Sequence, residues 1–318
     1  MTWTPWQQAW DRALYGEKGF YRQAAGPAGH FSTATQGVPQ IGRQLALALL
    51  RLMDQEGLDT FVDMGCGRGE LLEQVHERGP QVRCLGVDIV ARPQLSEPIG
   101  WLQSPGGEQI PDGLDGLTGT LVFANEWLDV VPCQIAELDE SGELREVLVN
   151  TSTGDEQLGD PLSFDARRWC QRFWPVQGMA AGDRVEIGQT RDVAWDSLLS
   201  RLEPDSLAIA VDYGHTIDDR PGPGTLTGFR QGRQVLPVPD GSCDLTAHVA
   251  MDSLTHDGLL DQRTALRQLG VRGQIPGLDL ARSSPAAYLQ GLSTASAAAA
   301  LTARGGLGDF LWAFSHVR

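Results

Sequence analysis

Residues 60–72 read TFVDMGCGRGELL, and the reading of this stretch decides the fold. An apolar run closes on Asp63, glycines follow at 65, 67 and 69, and Glu70 with Leu71 and Leu72 opens a helix-like segment. This is the order of a buried strand turning into a helix. Glycines at such a turn let the backbone pass close to a ligand with no Cβ in the way. A dinucleotide site needs G-x-G-x-x-G, whereas the third glycine here comes one residue early. A nucleoside-triphosphate loop ends in Gly-Lys-Ser/Thr, and this stretch has no lysine. The remaining reading is S-adenosyl-L-methionine. A nicotinamide cofactor, or a turn that serves only tight packing, stays open as an alternative.

The residue types suit that cofactor. Free N–H groups at the start of the following helix can receive a carboxylate, and Asp63 can face an ammonium group. The next strand-like run, GVDI, ends in Asp88, an acid for ribose hydroxyls, with Ile89 beside it. Candidate cofactor contacts in this region are Asp63, Gly65, Cys66, Gly67, Asp88 and Ile89.

Outward from this point, the chain alternates strand and helix patterns. Ile41, Leu45, Leu49 and Leu52 fall at helical spacing before the glycine strand, and VRCLGVDI, TLVFANEW and SLAIAVDYGH read as further buried strands. That alternation predicts an α/β fold with a parallel sheet and helices on both faces. Residues 133–150 read as a hairpin around DESGE, and 151–183 have loop-like composition with Trp169 and Trp174. The predicted organisation is an N-terminal lid or substrate segment (1–44), a cofactor-binding core (45–132 and 184–318) and an insertion on the substrate side (133–183). Residues 221–247 are rich in Gly and Pro and read as a long ordered loop with short strands, and STASAAAALTARGG reads as a surface helix.

Composition narrows the function classes. The 318 residues carry a formal net charge of −16, which argues against a broad grip on nucleic acid. Five scattered cysteines without a C-x-x-C pair suit reduced thiols, and six histidines without a close pair give no metal signature. No apolar run approaches the ~18–20 residues that span a bilayer. With no secretory-type start, the expectation is a cytoplasmic protein without membrane insertion.

Ligands of open parallel sheets bind beyond the carboxyl ends of the strands. There TLVFANEWLDVVP presents Asn125, Glu126 and Asp129, and AVDYGH presents Asp212, Tyr213 and His215. Arg230, Asp244, Thr246 and His248 follow in later loops. Asn125 and Glu126 join the cofactor candidates; Glu126 and Asp129 are the catalytic candidates, with Asp212 and His215 in reserve.

Taken together, these motifs resemble the MidA-type family of class I S-adenosyl-L-methionine-dependent methyltransferases, whose mitochondrial member assists assembly of respiratory complex I. EKGFY with GHFSTA, DMGCGRGELL, ANEWLDVVP, VDYGH, GTLTGFR and DLTAHV follow in family order over most of the chain. Asp63 and Cys66 stand where the family often has Glu and Pro, and GDFLWAF lacks a lysine often found there. The resemblance implies a Rossmann-like fold with a mostly parallel seven-stranded sheet, and adds Thr33 to the cofactor candidates. It also implies protein arginine methylation, the activity attributed to the mitochondrial member. A guanidinium is cationic, so paired carboxylates such as Glu126 and Asp129 would hold it and take its proton. Phe31, Trp127 and Tyr213 are candidates for stacking on the cation. A small-molecule acceptor, or an assembly factor with little turnover, are the competing readings.

Overall fold

The computed structural model describes residues 3–23 and 40–318. The chain opens with β1 (Trp3–Pro5) and α1 (Trp6–Tyr15), then resumes with α2 (Ile41–Glu56), β2 (Thr60–Met64) and α3 (Glu70–Arg78). Strands β3 (Arg83–Asp88), β4 (Gly100–Gln103) and β5 (Thr120–Asn125) follow. Next come β6 (Gln134–Leu138), β7 (Leu144–Asn150), β8 (Glu156–Pro161), α4 (Phe164–Phe173), β9 (Arg184–Ile187) and α5 (Gln189–Leu199). β10 (Ser206–Asp212), β11 (Gly214–His215), β12 (Thr227–Arg230), β13 (Arg233–Val235), β14 (Asp244–Thr246) and β15 (Val249–Ala250) continue the chain. It ends with β16 (Gly258–Asp261), α6 (Gln262–Gln268), α7 (Leu278–Ser283), α8 (Pro285–Leu301) and β17 (Leu311–Val317).

The principal sheet has the order β16-β17-β10-β5-β2-β3-β4. Pairings from β4 to β10 are parallel, and β17 runs antiparallel to both β10 and β16. All five residues of β2 are buried, as a central strand covered on both faces requires. Alternate side chains divide between two cores. Phe61, Phe123, Ile209 and Trp312 pack with α2, α3, α6 and α8, while Val62, Val122 and Ala208 pack with Trp195 and Leu198 of α5. Ile41, Leu45, Leu49 and Leu52 of α2 are all buried, as their spacing predicts. α2 stops at Gly57, which takes the left-handed backbone that suits glycine at a helix end.

The α/β architecture is as expected, but the molecule has mixed sheets. A second, antiparallel sheet has the order β1-β7-β6-β9, with β8 on the far side of β7. Helix α1 packs Trp6, Trp10 and Leu14 on one face, against Ile135, Val147 and Val149. Helix α4 packs Trp169 with Trp174 on the other, against Ala136, Val185 and Ile187. Residues 151–183 therefore do not form the expected loop. β8 is an edge strand of mostly polar residues and carries no apolar alternation, but α4 had a signal: Ala166, Trp169, Cys170 and Phe173 at helical spacing after the Ser163 cap. Nor is α8 a surface helix, since Ala297, Ala298 and Leu301 are buried in the principal core and Ala295 is buried as well. All five cysteines are free and buried. No described helix is long and apolar enough to cross a membrane.

Candidate active site

Beyond the carboxyl ends of β2, β3 and β5 lies a cavity of about 390 Å³. The glycine loop forms its floor. Gly65 and Cys66 donate backbone N–H bonds to the Val87 carbonyl at 2.9 and 3.2 Å, which pins the loop to the end of β3. Gly67 has φ +59°, and a Cβ there would meet nothing within 4 Å, so the loop keeps this face of the cavity clear. Its N–H donates to Asp88 Oδ2 at 2.7 Å, while Val90 N–H donates to Asp88 Oδ1 at 3.1 Å. Each Asp88 oxygen thus retains acceptor capacity for a hydroxyl. Burial pushes the Asp88 carboxyl up to about 6 against these bonds. Burial, helped by the charges of Asp88 and Glu70, also drives Asp63 well above the usual carboxylate range. A cation bound beside Asp63 would offset that penalty.

Asn125 and Glu126 leave β5 directly into the cavity. Glu126 has φ 52°, a left-handed conformation that few side chains adopt without cost. Asn125 Nδ2 donates to its carboxylate at 3.1 Å, and the Tyr213 hydroxyl also bonds it. Asp212 holds the loop that follows. Leu128 and Asp129 N–H groups donate to Asp212 Oδ2 at 3.0 and 3.1 Å, and Tyr213 N–H donates to Oδ1 at 3.0 Å.

The structure therefore brings Asp63, Gly65, Cys66, Gly67, Asp88, Ile89, Asn125, Glu126 and Asp129 to one cavity. It does not bring Asp212 or His215 there. Asp212 is buried beneath the loop as a backbone acceptor. His215 Nδ1 faces Arg220 Nη1 at 2.7 Å, its ring meets Trp174 edge-on at 4.9 Å, and burial with the Arg220 charge pulls it down to about 3. Thr33 and Phe31 lie outside the described residues, as does the GHFSTA motif.

Other cavity residues came from tertiary contacts. Tyr15 and Tyr21 close one side, with Tyr15 Oη donating to the Val130 carbonyl at 3.0 Å and Tyr21 Oη to Asp244 Oδ1 at 2.7 Å. EKGFY contains Tyr21, but nothing local says that it meets Asp244. Arg191 of α5, which does not line the cavity, is buried with its guanidinium on the carbonyls of Asp129, Val131 and His248 at 3.0, 3.0 and 2.7 Å. Among the described residues, six acids line the cavity (Asp63, Glu70, Asp88, Glu126, Asp129 and Asp244) against a single Arg68, so it favours cationic ligands. Among the described residues, no group of His, Cys, Asp and Glu is arranged to hold a metal.

The loop geometry, the two acids on adjacent strand ends and the cavity size all fit S-adenosyl-L-methionine. Replacing Asp88 by alanine is expected to weaken S-adenosyl-homocysteine binding roughly 10- to 100-fold, the value of a charged hydrogen bond. Because the carboxylate is the better acceptor, wild-type affinity should also fall as pH drops through about 6. Titration calorimetry checks both. An alanine variant within twofold of wild type would remove Asp88 from the site.

The profile of a family described as S-adenosyl-L-methionine-dependent methyltransferase matches residues 76–268. Two solved structures from Burkholderia thailandensis superimpose over nearly the whole chain. One is a COG1565 superfamily member, described as a candidate methyl transferase and bound to S-adenosyl-homocysteine. It is 20% identical, covers 98% of this chain and 87% of its own, and has a TM-score of 0.72. The other, a COG1565 superfamily protein, is 21% identical with the same TM-score of 0.72, covering 99% of this chain and 87% of its own. At that identity the likeness bears on the fold. No curated protein matches the chain.

Proposed function

Since the chain belongs to the MidA-like family of S-adenosyl-L-methionine-dependent methyltransferases, we propose that it methylates an arginine side chain of a protein. The carrying observation is the acid at the strand mouth: Glu126, in a left-handed backbone, lines the same cavity as Asp129. The bound cofactor would supply an electrophilic methyl group on a positively charged sulfur. Asp63 would hold its ammonium and Asp88 its ribose, with the glycine loop alongside. An arginine is protonated at any biological pH. Its nitrogen must shed a proton as the new N–C bond forms. The Glu126 carboxylate is in reach of the cavity to take that proton, and Asp129 would hold a second N–H.

The same reading assigns roles to the segments. Residues 1–44 would act as the lid, since α1 and the turn after it reach the cavity through Tyr15 and Tyr21. Residues 45–132 and 184–318 would form the cofactor-binding core. Residues 133–183 would sit on the substrate side, and the shared core of α1 with β6 and β7 supports the lid and insertion moving as one unit.

Incubation with radiolabelled cofactor and cell lysate tests the acceptor. The expected result is a labelled protein band whose hydrolysate yields methylarginine. Label found only on small molecules would replace the proposal with a small-molecule acceptor. Cofactor binding without label would favour a binding protein.

A further inference from the structure

The cavity contains a second pair of acids whose geometry the cofactor's own groups do not use. Asp129 comes from the loop after β5 and Asp244 from β14, and both are more than nine-tenths buried while lining the cavity. Asp129 Oδ2 accepts a bond from Thr246 Oγ1 at 2.7 Å and the Val130 N–H also acts on the carboxylate, but its buried Oδ1 accepts no hydrogen bond of ordinary geometry. A carboxylate oxygen in that state costs free energy unless something else supplies a donor. Across the same space, Asp244 is clasped by Tyr21 from the N-terminal turn. Arg191 and Thr246 fix the Asp129 side: Arg191 bonds the Asp129 carbonyl and Thr246 one oxygen of its carboxylate.

We propose that Asp129 and Asp244, closed over by Tyr21, form the receptor for the acceptor's cationic N–H group. This rests on the methyltransferase reading and specifies where the acceptor is held. It separates two tasks: Glu126 takes the proton lost in the reaction, and the Asp129–Asp244 pair reads charge before the reaction.

The receptor carries its own proton in the absence of acceptor. The groups facing Asp244 are Tyr21 and Tyr15 from the N-terminal segment, and Asp129 and Glu126 from the loop after β5. Arg191 and His248 act on it through Asp129. Burial, together with the negative charges of Asp129 and Glu126, pushes Asp244 up to about 8, while the Tyr21 bond works in the opposite direction. At neutral pH the pair therefore holds a proton that an arriving cation must displace. Affinity for a cation rises with pH and levels off above about 8. A neutral acceptor displaces nothing.

The test uses enzyme saturated with S-adenosyl-homocysteine and two small probes of nearly equal shape, ethylguanidinium and ethylurea. Calorimetry at pH 7, in phosphate and in Tris, should show ethylguanidinium binding with release of about one proton. Ethylurea should bind at least roughly tenfold more weakly, the value of a charge-assisted bond. Asp244→Asn should abolish proton release and weaken ethylguanidinium roughly tenfold or more, while S-adenosyl-homocysteine binding reports that the variant is folded. Tyr21→Phe should move the pH midpoint upward, because the lost bond was holding Asp244 down; a merely structural Tyr21 would leave that midpoint in place. Equal binding of the two probes, binding of neither, or unchanged proton release in Asp244→Asn overturns the receptor. If lysate arginines are labelled at wild-type rate by Asp244→Asn, the receptor falls and the arginine proposal stands. Label confined to small molecules instead removes the arginine proposal.

Discussion

Glu126→Gln is expected to lower methyl transfer roughly 10²- to 10⁴-fold, the range for removing a positioned general base. Affinity for S-adenosyl-homocysteine should fall much less. Glutamine preserves the shape and can still take the Asn125 bond, so the change isolates the loss of charge and proton affinity. The position is constrained in a way that few surface acids are. Among the described residues only Gln40, Glu126, Asp205 and Gln231 are non-glycine residues with positive φ, and of these only Glu126 lines the cavity. A strained backbone at a strand mouth persists when the surroundings hold it, here through the Glu126 N–H on the Val211 carbonyl at 2.8 Å and the Asp212 carboxylate beneath the next turn. Label transfer to lysate protein at saturating cofactor measures the rate. A variant within tenfold of wild type would mean that Glu126 positions the acceptor and another group takes the proton.

Arg191→Met is expected to cost roughly 3–5 kcal/mol of folding stability, since it strips donors from three carbonyls, of which those of Asp129 and Val131 are buried. That is a large share of the ~5–15 kcal/mol by which a folded domain is stable. Arg191 joins two separate stretches, the loop after β5 through Asp129 and Val131 and the approach to β15 through His248. It also lies over the Trp10 ring at 5.7 Å, which ties α1 to the same point. Its charge lowers the carboxyls of both Asp129 and Asp212, so its loss should raise both further and move the acid limb of the pH–rate profile to higher pH. Urea denaturation gives the stability and a pH–rate series gives the limb. A stability loss under 1 kcal/mol would show that Arg191 is a passenger in this clamp.

Much of the cavity lining was readable because its determinants are local. The glycine loop needs positive φ at every second position, 65, 67 and 69, a demand written into a five-residue stretch, and Asp88 ends the next strand of the sheet. Asn125 and Glu126 follow their strand directly. Asp212 and His215 showed the limit of this reading. Asp212 ends β10 and His215 lies three residues beyond it, but a place at a strand end does not say whether a side chain points to the crevice or back under a loop. The backbone N–H groups of Leu128, Asp129 and Tyr213 drew Asp212 inward, and Arg220 with Trp174 drew His215 away.

The insertion failed for a different reason. β8 gains its place by pairing with β7, and β1 gains its own by pairing Trp3 with Asn150. An edge strand needs only one partner and little apolar surface, so its sequence need not alternate.

By itself, the amino-acid sequence determined the α/β class, the glycine turn and the acids beside it, because backbone torsion and burial period depend on neighbouring residues. Tertiary structure alone decided which side chains share the cavity: Tyr21 meets Asp244 and Arg191 reaches the Asp129 carbonyl across most or part of the chain. Such contacts are set by how sheets and helices pack, and packing distance leaves no mark on spacing along the chain.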